Sequence, residues 1–216
     1  MAEILVVRHG QASFGADNYD ELSDLGRKQG QLLGETLRAM GWQPDRAITG
    51  SLARQKQTLE EMGFSVQAEE HSGWNEYDFH DLLHQRFGGQ APDDVITDRK
   101  THFRALSDTL AEWQDGGIQS ARETWAQFTA RVEAARSHAA ACDAERILVV
   151  SSGGVIARLV AATLEVPDRQ MITLNLQVKN TSLTRFISSK RRFFLHEFNS
   201  VPQFHDAARA ELMSYS

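Results

Sequence analysis

Apolar residues along this chain gather in short runs separated by longer stretches of mixed polarity. The run Ile4-Leu5-Val6-Val7, within residues 3–8, is continuous and β-branched, the pattern of a strand buried on both faces. "FGADNYDE" after it reads as a loop. Ser23 then stands as a helix N-cap, and Leu25, Leu32, Leu33 and Leu37 recur at helical spacing up to Met40, with Gly41 as the stop. Pro44 opens a loop. "RAITG" at 46–50 predicts a second buried strand, and Ser51 is expected to cap a helix over about 52–62. "FSVQAEE" at 64–70 suits a short strand. Helical stretches follow at roughly 93–114 and 121–141, with "DGGIQS" between them and Ser120 as the expected cap of the second. "ILVV" returns at 147–150, then "SSGG" and a helix to about 164, with Pro167 closing that unit. Residues 173–199 read as two or three strands with a turn near Ser188 to Lys190.

Strands alternating with helices imply an α/β fold: a three-layer sandwich with a mostly parallel central sheet and helices on both faces. The repeated "ILVV" predicts two neighbouring central strands. Nothing in the sequence resembles a linker, so residues 1–216 are expected to form one domain, with 77–145 as a helical cap or insertion.

Composition narrows the classes. The chain has 216 residues, 41% apolar and 24% charged, ample for one hydrophobic core. Its net charge of −6 argues against nucleic acid as the main partner. The one basic cluster, Lys190-Arg191-Arg192, lies in an expected hairpin turn. A single cysteine, Cys142, allows no internal disulfide and points to a reducing compartment. No signal-like N-terminus and no run of about 20 apolar residues is present, so the expectation is a cytoplasmic protein with no membrane partner.

In an open α/β sheet, ligands bind beyond the carboxyl ends of the strands. Three such ends carry suggestive residues: Arg8-His9-Gly10, "SLARQKQT" at 51–58, and Ser151 to Gly154. Arg54 sits one turn into its helix and can point back to the strand edge. Gly153 and Gly154 place N–H groups at a helix start, where anions bind. Two arginines, a histidine and a helix N-terminus converging on one point describe a phosphate pocket. A competing reading takes Glu76, His80 and His84, spaced i, i+4, i+8, as a metal site; partly exposed cap residues are the favoured alternative. Trp74, Tyr77, Phe79 and Phe87 either line a substrate entrance or pack the cap onto the sheet, and packing is favoured.

These residues carry a resemblance. "LVVRHGQ", the spaced Ser51, Arg54, Gln57 and Thr58, "NEYDF" around Glu76 and "VVSSGGVIARL" together resemble the histidine phosphatase superfamily, the phosphoglycerate mutase-like family, over most of the chain. The resemblance implies a metal- and cofactor-independent phosphatase acting on a small phosphorylated substrate or a phosphoprotein. His9 would be the nucleophile forming a phosphohistidine, with its other ring nitrogen donating to a backbone carbonyl. Arg8 and Arg54 would hold phosphoryl oxygens, and Glu76 would be the general acid and base. Gln11, Ser13, Ser152 and Gly153 would contact substrate. Family members usually carry a second histidine where Ser152 stands. Serine is shorter and uncharged, which implies reduced activity unless another group, such as His71, His80, His84 or His196, fills the gap. An asparagine often follows Arg-His-Gly in the family; Gly15 stands at the matching offset here, with Asn18 as a possible substitute. A catalytically weak or inactive phosphate-binding protein is the alternative reading, and a mutase the least favoured.

Overall fold

The computed structural model describes residues 1–13, 20–92, 95, 99–141, 143–189 and 191–215. Six strands among them form one sheet: β1 (Ala2–Arg8), β2 (Arg46–Thr49), β3 (Ala68–Glu70), β4 (Arg146–Ser151), β5 (Leu183–Ser188) and β6 (Phe193–Ser200). The order is β3-β2-β4-β1-β5-β6, parallel from β3 to β1 and antiparallel from β1 to β6. The two "ILVV" runs are central neighbours, paired in register from Glu3 with Arg146 to Arg8 with Ser151. Their continuous apolarity follows from burial on both sides. Leu5, Val7, Leu148 and Val150 face one cluster with Leu33, Leu37, Leu59 and Met62. Ile4, Val6, Ile147 and Val149 face the other, with Trp74, Trp113, Phe128 and Leu159. The period of two along each strand splits one apolar run into two cores.

The first face is covered by α1 (Asp24–Ala39) and α2 (Ala53–Met62). Ser23 caps α1, its side chain accepting from Gly26 N–H. Ser51 does not cap α2. Its N–H donates to Asn75 Oδ1 and its Oγ accepts from Asn75 Nδ2, at 2.7 and 2.8 Å, so it is committed elsewhere. Asp20 takes the capping role from outside the helix, with Oδ2 accepting from Ala53 N–H at 2.8 Å.

The chain from Phe79 continues through α3 (Phe79–Phe87), α4 (Arg99–Gln114) and α5 (Trp125–Ala140). The cap of α5 is Thr124 and not Ser120: Thr124 and Gln127 form a reciprocal capping box, so the helix starts several residues later than its sequence suggests. Phe128, Val132, Ala135 and Ala139 of α5 lie in the second core. The helix α6 (Gly153–Thr163) follows β4 directly, then α7 (Arg169–Asn175). Residues 173–175, expected as strand, end α7, and the tail supplies two strands, β5 and β6. Of "FSVQAEE" only Ala68–Glu70 pairs. A short α8 (Ala207–Ala210) ends the described helices. Cys142, Lys190, Gly15 and Asn18 lie outside the described residues.

Candidate active site

The register of β1 against β4 decides the site. With Arg8 opposite Ser151, His9 emerges beside Ser152, and its N–H extends the ladder by donating to Ser151 O at 2.9 Å. The turn after it packs directly on α1. A Cβ on Gly10 would stand 2.4 Å from Gly26 O, and one on Gly26 would stand 2.1 Å from Gln11 O, so two glycines allow backbone to touch backbone. Gly10 N–H donates to Thr58 Oγ1, and Asn180 Nδ2 donates to His9 O.

The buried His9 ring has an unambiguous tautomer. Nδ1 lies 2.7 Å from Gly10 O, which can only accept. Nε2 lies 3.1 Å from Arg54 Nε, which can only donate. The proton is therefore on Nδ1, and Nε2 presents a lone pair to the pocket. Burial, then the charges of Arg54 and Arg8, hold the imidazole well below the usual histidine range, against a smaller opposing effect of the Gly10 carbonyl.

Arg54 is fixed by more than the helix. Its second nitrogen bonds Asp20 Oδ1 at 2.6 Å. Arg8 donates to Val178 O. Glu76 sits at the start of α6, where its Oε2 accepts from Gly154 N–H at 2.9 Å and its Oε1 from Tyr77 N–H at 3.3 Å. Burial pushes this carboxyl above the usual glutamate range, opposed by those N–H groups and by Arg54 and Arg8. Gly153 is buried nearby; a Cβ there would stand 2.7 Å from Asn175 Oδ1 and 3.6 Å from the Arg8 guanidinium. His9, Arg8, Arg54, Glu76 and Gly153 thus belong to one neighbourhood.

The other expected residues differ. Ser152 is fully buried, and its Oγ accepts from Gln55 Nε2 at 2.9 Å, so an amide stands beside it and not an imidazole. Gln11 is turned toward α1, its Oε1 accepting from Ser23 Oγ. Ser13 N–H bonds Glu21 O in the loop strand-pair that continues from the site. His71 accepts from Gly73 N–H, and its ring lies 4.9 Å from that of His138 at a tilt of 37°. His80 and His84 line a separate pocket of about 270 Å³ with His102, and His196 is exposed on β6. With Glu76 bound to Gly154, the i, i+4, i+8 grouping does not converge. Among the described residues no group of three or more His, Cys, Asp or Glu is placed to hold a metal ion. No helix among them is long and apolar enough to cross a membrane. Trp74 and Tyr77 are core residues, Tyr77 packing on Trp113 and Phe128 at 5.5 and 5.7 Å.

Sequence reasoning missed Asp20, Gln55, Asn175 and Asn180. Gln55 stands inside the "SLARQKQT" stretch, next to Arg54, and its neighbour was a pointer to it. The other three come from segments with no local pattern of their own.

Fold and site together define an α/β protein with cations and a helix start gathered around an uncharged histidine at the carboxyl edge of its sheet. The profile of the histidine phosphatase superfamily (branch 1) matches residues 4–201, and the chain belongs to that superfamily. Comparison with curated protein sequences finds no match. Among solved structures, a phosphoserine phosphatase mutant from Entamoeba histolytica in complex with phosphoserine is similar at 18% identity and a TM-score of 0.68, covering 94% of this chain and 99% of that one. A mycobacterial glucosyl-3-phosphoglycerate phosphatase in complex with inorganic phosphate is similar at 22% identity and a TM-score of 0.68, with coverage of 94% and 99%. A phosphoglycerate mutase from Bacillus anthracis is similar at 16% identity and a TM-score of 0.65, covering 94% of each chain. These likenesses establish the shared fold.

Proposed function

We propose that this protein is a metal-independent phosphatase that hydrolyses phosphate monoesters through a phosphohistidine on His9. The observation that carries the reading is the His9 tautomer. The Gly10 carbonyl holds the proton on Nδ1, which leaves Nε2 nucleophilic, and two arginines flank it. Arg54 Nε donates to that lone pair at 3.1 Å. A phosphoryl group would draw the guanidinium onto its oxygens and release the nitrogen.

In the first step the Nε2 lone pair forms the N–P bond as the P–O bond to the leaving group breaks, and Glu76 gives its proton to the departing oxygen. In the second, Glu76 takes a proton from water, the water oxygen bonds phosphorus, and the N–P pair returns to Nε2. Arg8 and Arg54 stabilise the charge spread over the phosphoryl oxygens in both steps. A raised Glu76 pKa suits a group that must begin protonated. Gln11, Ser13 and Gly153 are proposed as further substrate contacts, and residues 77–145 as a helical cap.

Ser152 stands where relatives usually carry a second histidine. Its enclosure by Gln55 supports an enzyme with one fewer cation in the pocket, and also favours the second reading, a member that binds phosphate and turns over slowly. Hydrolysis of p-nitrophenyl phosphate with chelator present separates the two. The phosphatase reading expects metal-independent turnover that falls to background in His9→Ala. Phosphate binding with no turnover in wild type supports the binding protein.

A further inference from the structure

Gln55 is completely buried and is not one of the catalytic residues proposed above. Its Nε2 donates twice, to Ser152 Oγ at 2.9 Å and to Trp74 O at 3.0 Å. Trp74 O also accepts from Ser151 Oγ at 2.7 Å. Gln55 Oε1 is buried with no hydrogen-bond partner among the described residues. Gly50 makes room for it: a Cβ there would stand 2.0 Å from Gln55 Oε1 and 2.5 Å from Asn75 Oδ1.

The bonds form a closed circuit. From Gln55 the path runs through Ser152 to Gly154, whose N–H holds Glu76 Oε2. Glu76 is two residues beyond Trp74, whose carbonyl returns to Gln55. Three chain segments meet there: α2 carrying Arg54, the loop carrying Glu76, and the start of α6. Side chains on loops keep their geometry only when such supporting bonds lock them.

We infer that Gln55 is a positioning residue: its amide ties the Glu76 loop to the β4–α6 junction and so sets the acid against the leaving oxygen. The consequence for proton transfer rests on the phosphatase reading; the structural tie does not. A loosened tie would displace Glu76 more than His9, because His9 is held independently by Gly10, Asn180 and the β1 ladder.

The test uses Gln55→Met, which keeps the side-chain volume and removes both donors, with Ser152→Ala and the double variant. Amide hydrogen exchange is read at Gly154 and at the central β1 and β4 amides. The tie expects Gly154 protection to fall on the order of tenfold in Gln55→Met while the strand amides hold. Unchanged Gly154 protection, or equal loss throughout the sheet, overturns it. Kinetics then compare p-nitrophenyl phosphate, whose leaving group needs little protonation, with β-glycerol phosphate, which needs a proton. The variant should lose several-fold on the first and about tenfold more on the second, since positioned acids contribute roughly 10² to 10⁴. Ser152→Ala should show the same pattern, and the double variant should be no worse than the poorer single. Equal losses on both substrates would mean that Gln55 only packs. If wild type turns over neither ester, the phosphatase reading falls, and Gly154 exchange still decides the tie.

Discussion

A neutral imidazole between two guanidinium groups is the decisive single-residue feature. In the proposed reaction His9 must be deprotonated at Nε2 to attack, and burial together with Arg54 and Arg8 lowers its pKa well below the usual value. Its deprotonated form therefore persists into weakly acid solution. As the proposed general acid Glu76 must be protonated to donate, and its pKa is raised by burial. The two shifts move the groups toward each other: on the proposed mechanism activity should be lost at low pH when His9 takes a proton and at higher pH when Glu76 loses one. The expected kcat/KM profile with β-glycerol phosphate is thus bell-shaped. Glu76→Gln should abolish its descending limb and lower kcat by about 10² to 10⁴, because a group that cannot exchange its proton remains. A profile flat through neutral pH, or an unmoved descending limb in the variant, would remove Glu76 from the acid role.

At the scale of elements, the site depends on how closely α1 approaches its neighbours. Gly26, Gly30 and Gly34 recur every fourth residue on one face of α1. Gly26 meets the turn after His9, while Gly30 and Gly34 meet α2, which carries Arg54. A Cβ on Gly34 would stand 2.0 Å from Met62 O, which is backbone and cannot swing aside; one on Gly30 would meet the Glu61 Cβ at 3.0 Å. Gly34→Ala should therefore destabilise by about 1–3 kcal/mol through overpacking, despite roughly 1 kcal/mol of helix propensity in its favour. Gly30→Ala should be much milder. Urea unfolding of both variants checks this; equal stabilities would mean that the helices can separate at no cost. The packing of α1 on α2 and on the His9 turn gives each glycine its separate reason.

For the molecule as a whole, the proposed pocket is a linkage site. An anion that binds only the folded state stabilises it by about 2.7 kcal/mol at a concentration 100 times its Kd. For a chain of this size that corresponds to a rise in Tm of roughly 5–10 °C. Inorganic phosphate should produce such a shift, and chloride at the same ionic strength should not. Arg54→Met should remove most of it, since this arginine lies against His9 and is held in place by Asp20. A shift equal in wild type and Arg54→Met would place the anion elsewhere.

The sequence by itself determined what depends on local pattern and near neighbours. Two apolar runs, each long enough for one buried strand, announced two central strands, because burial on both faces leaves no polar position to alternate. Ser23 announced the start of α1, since its side chain bonds a backbone only three residues away. The residues of the Arg8-His9-Gly10 turn, Arg54 and Glu76 stood in recognisable segments. What the tertiary structure decided are the relations between segments. Ser51 looked like a cap, yet Asn75 holds it and Asp20 caps α2 from 33 residues away. Ser152 stood in a recognisable segment, but the Gln55 amide that bonds it from 97 residues away was not legible. The tautomer of His9 depended on two partners, one adjacent and one on α2. Such contacts leave no periodic trace, because each is made by one side chain meeting one distant group, and only the register of β1 against β4 brings them to the same point.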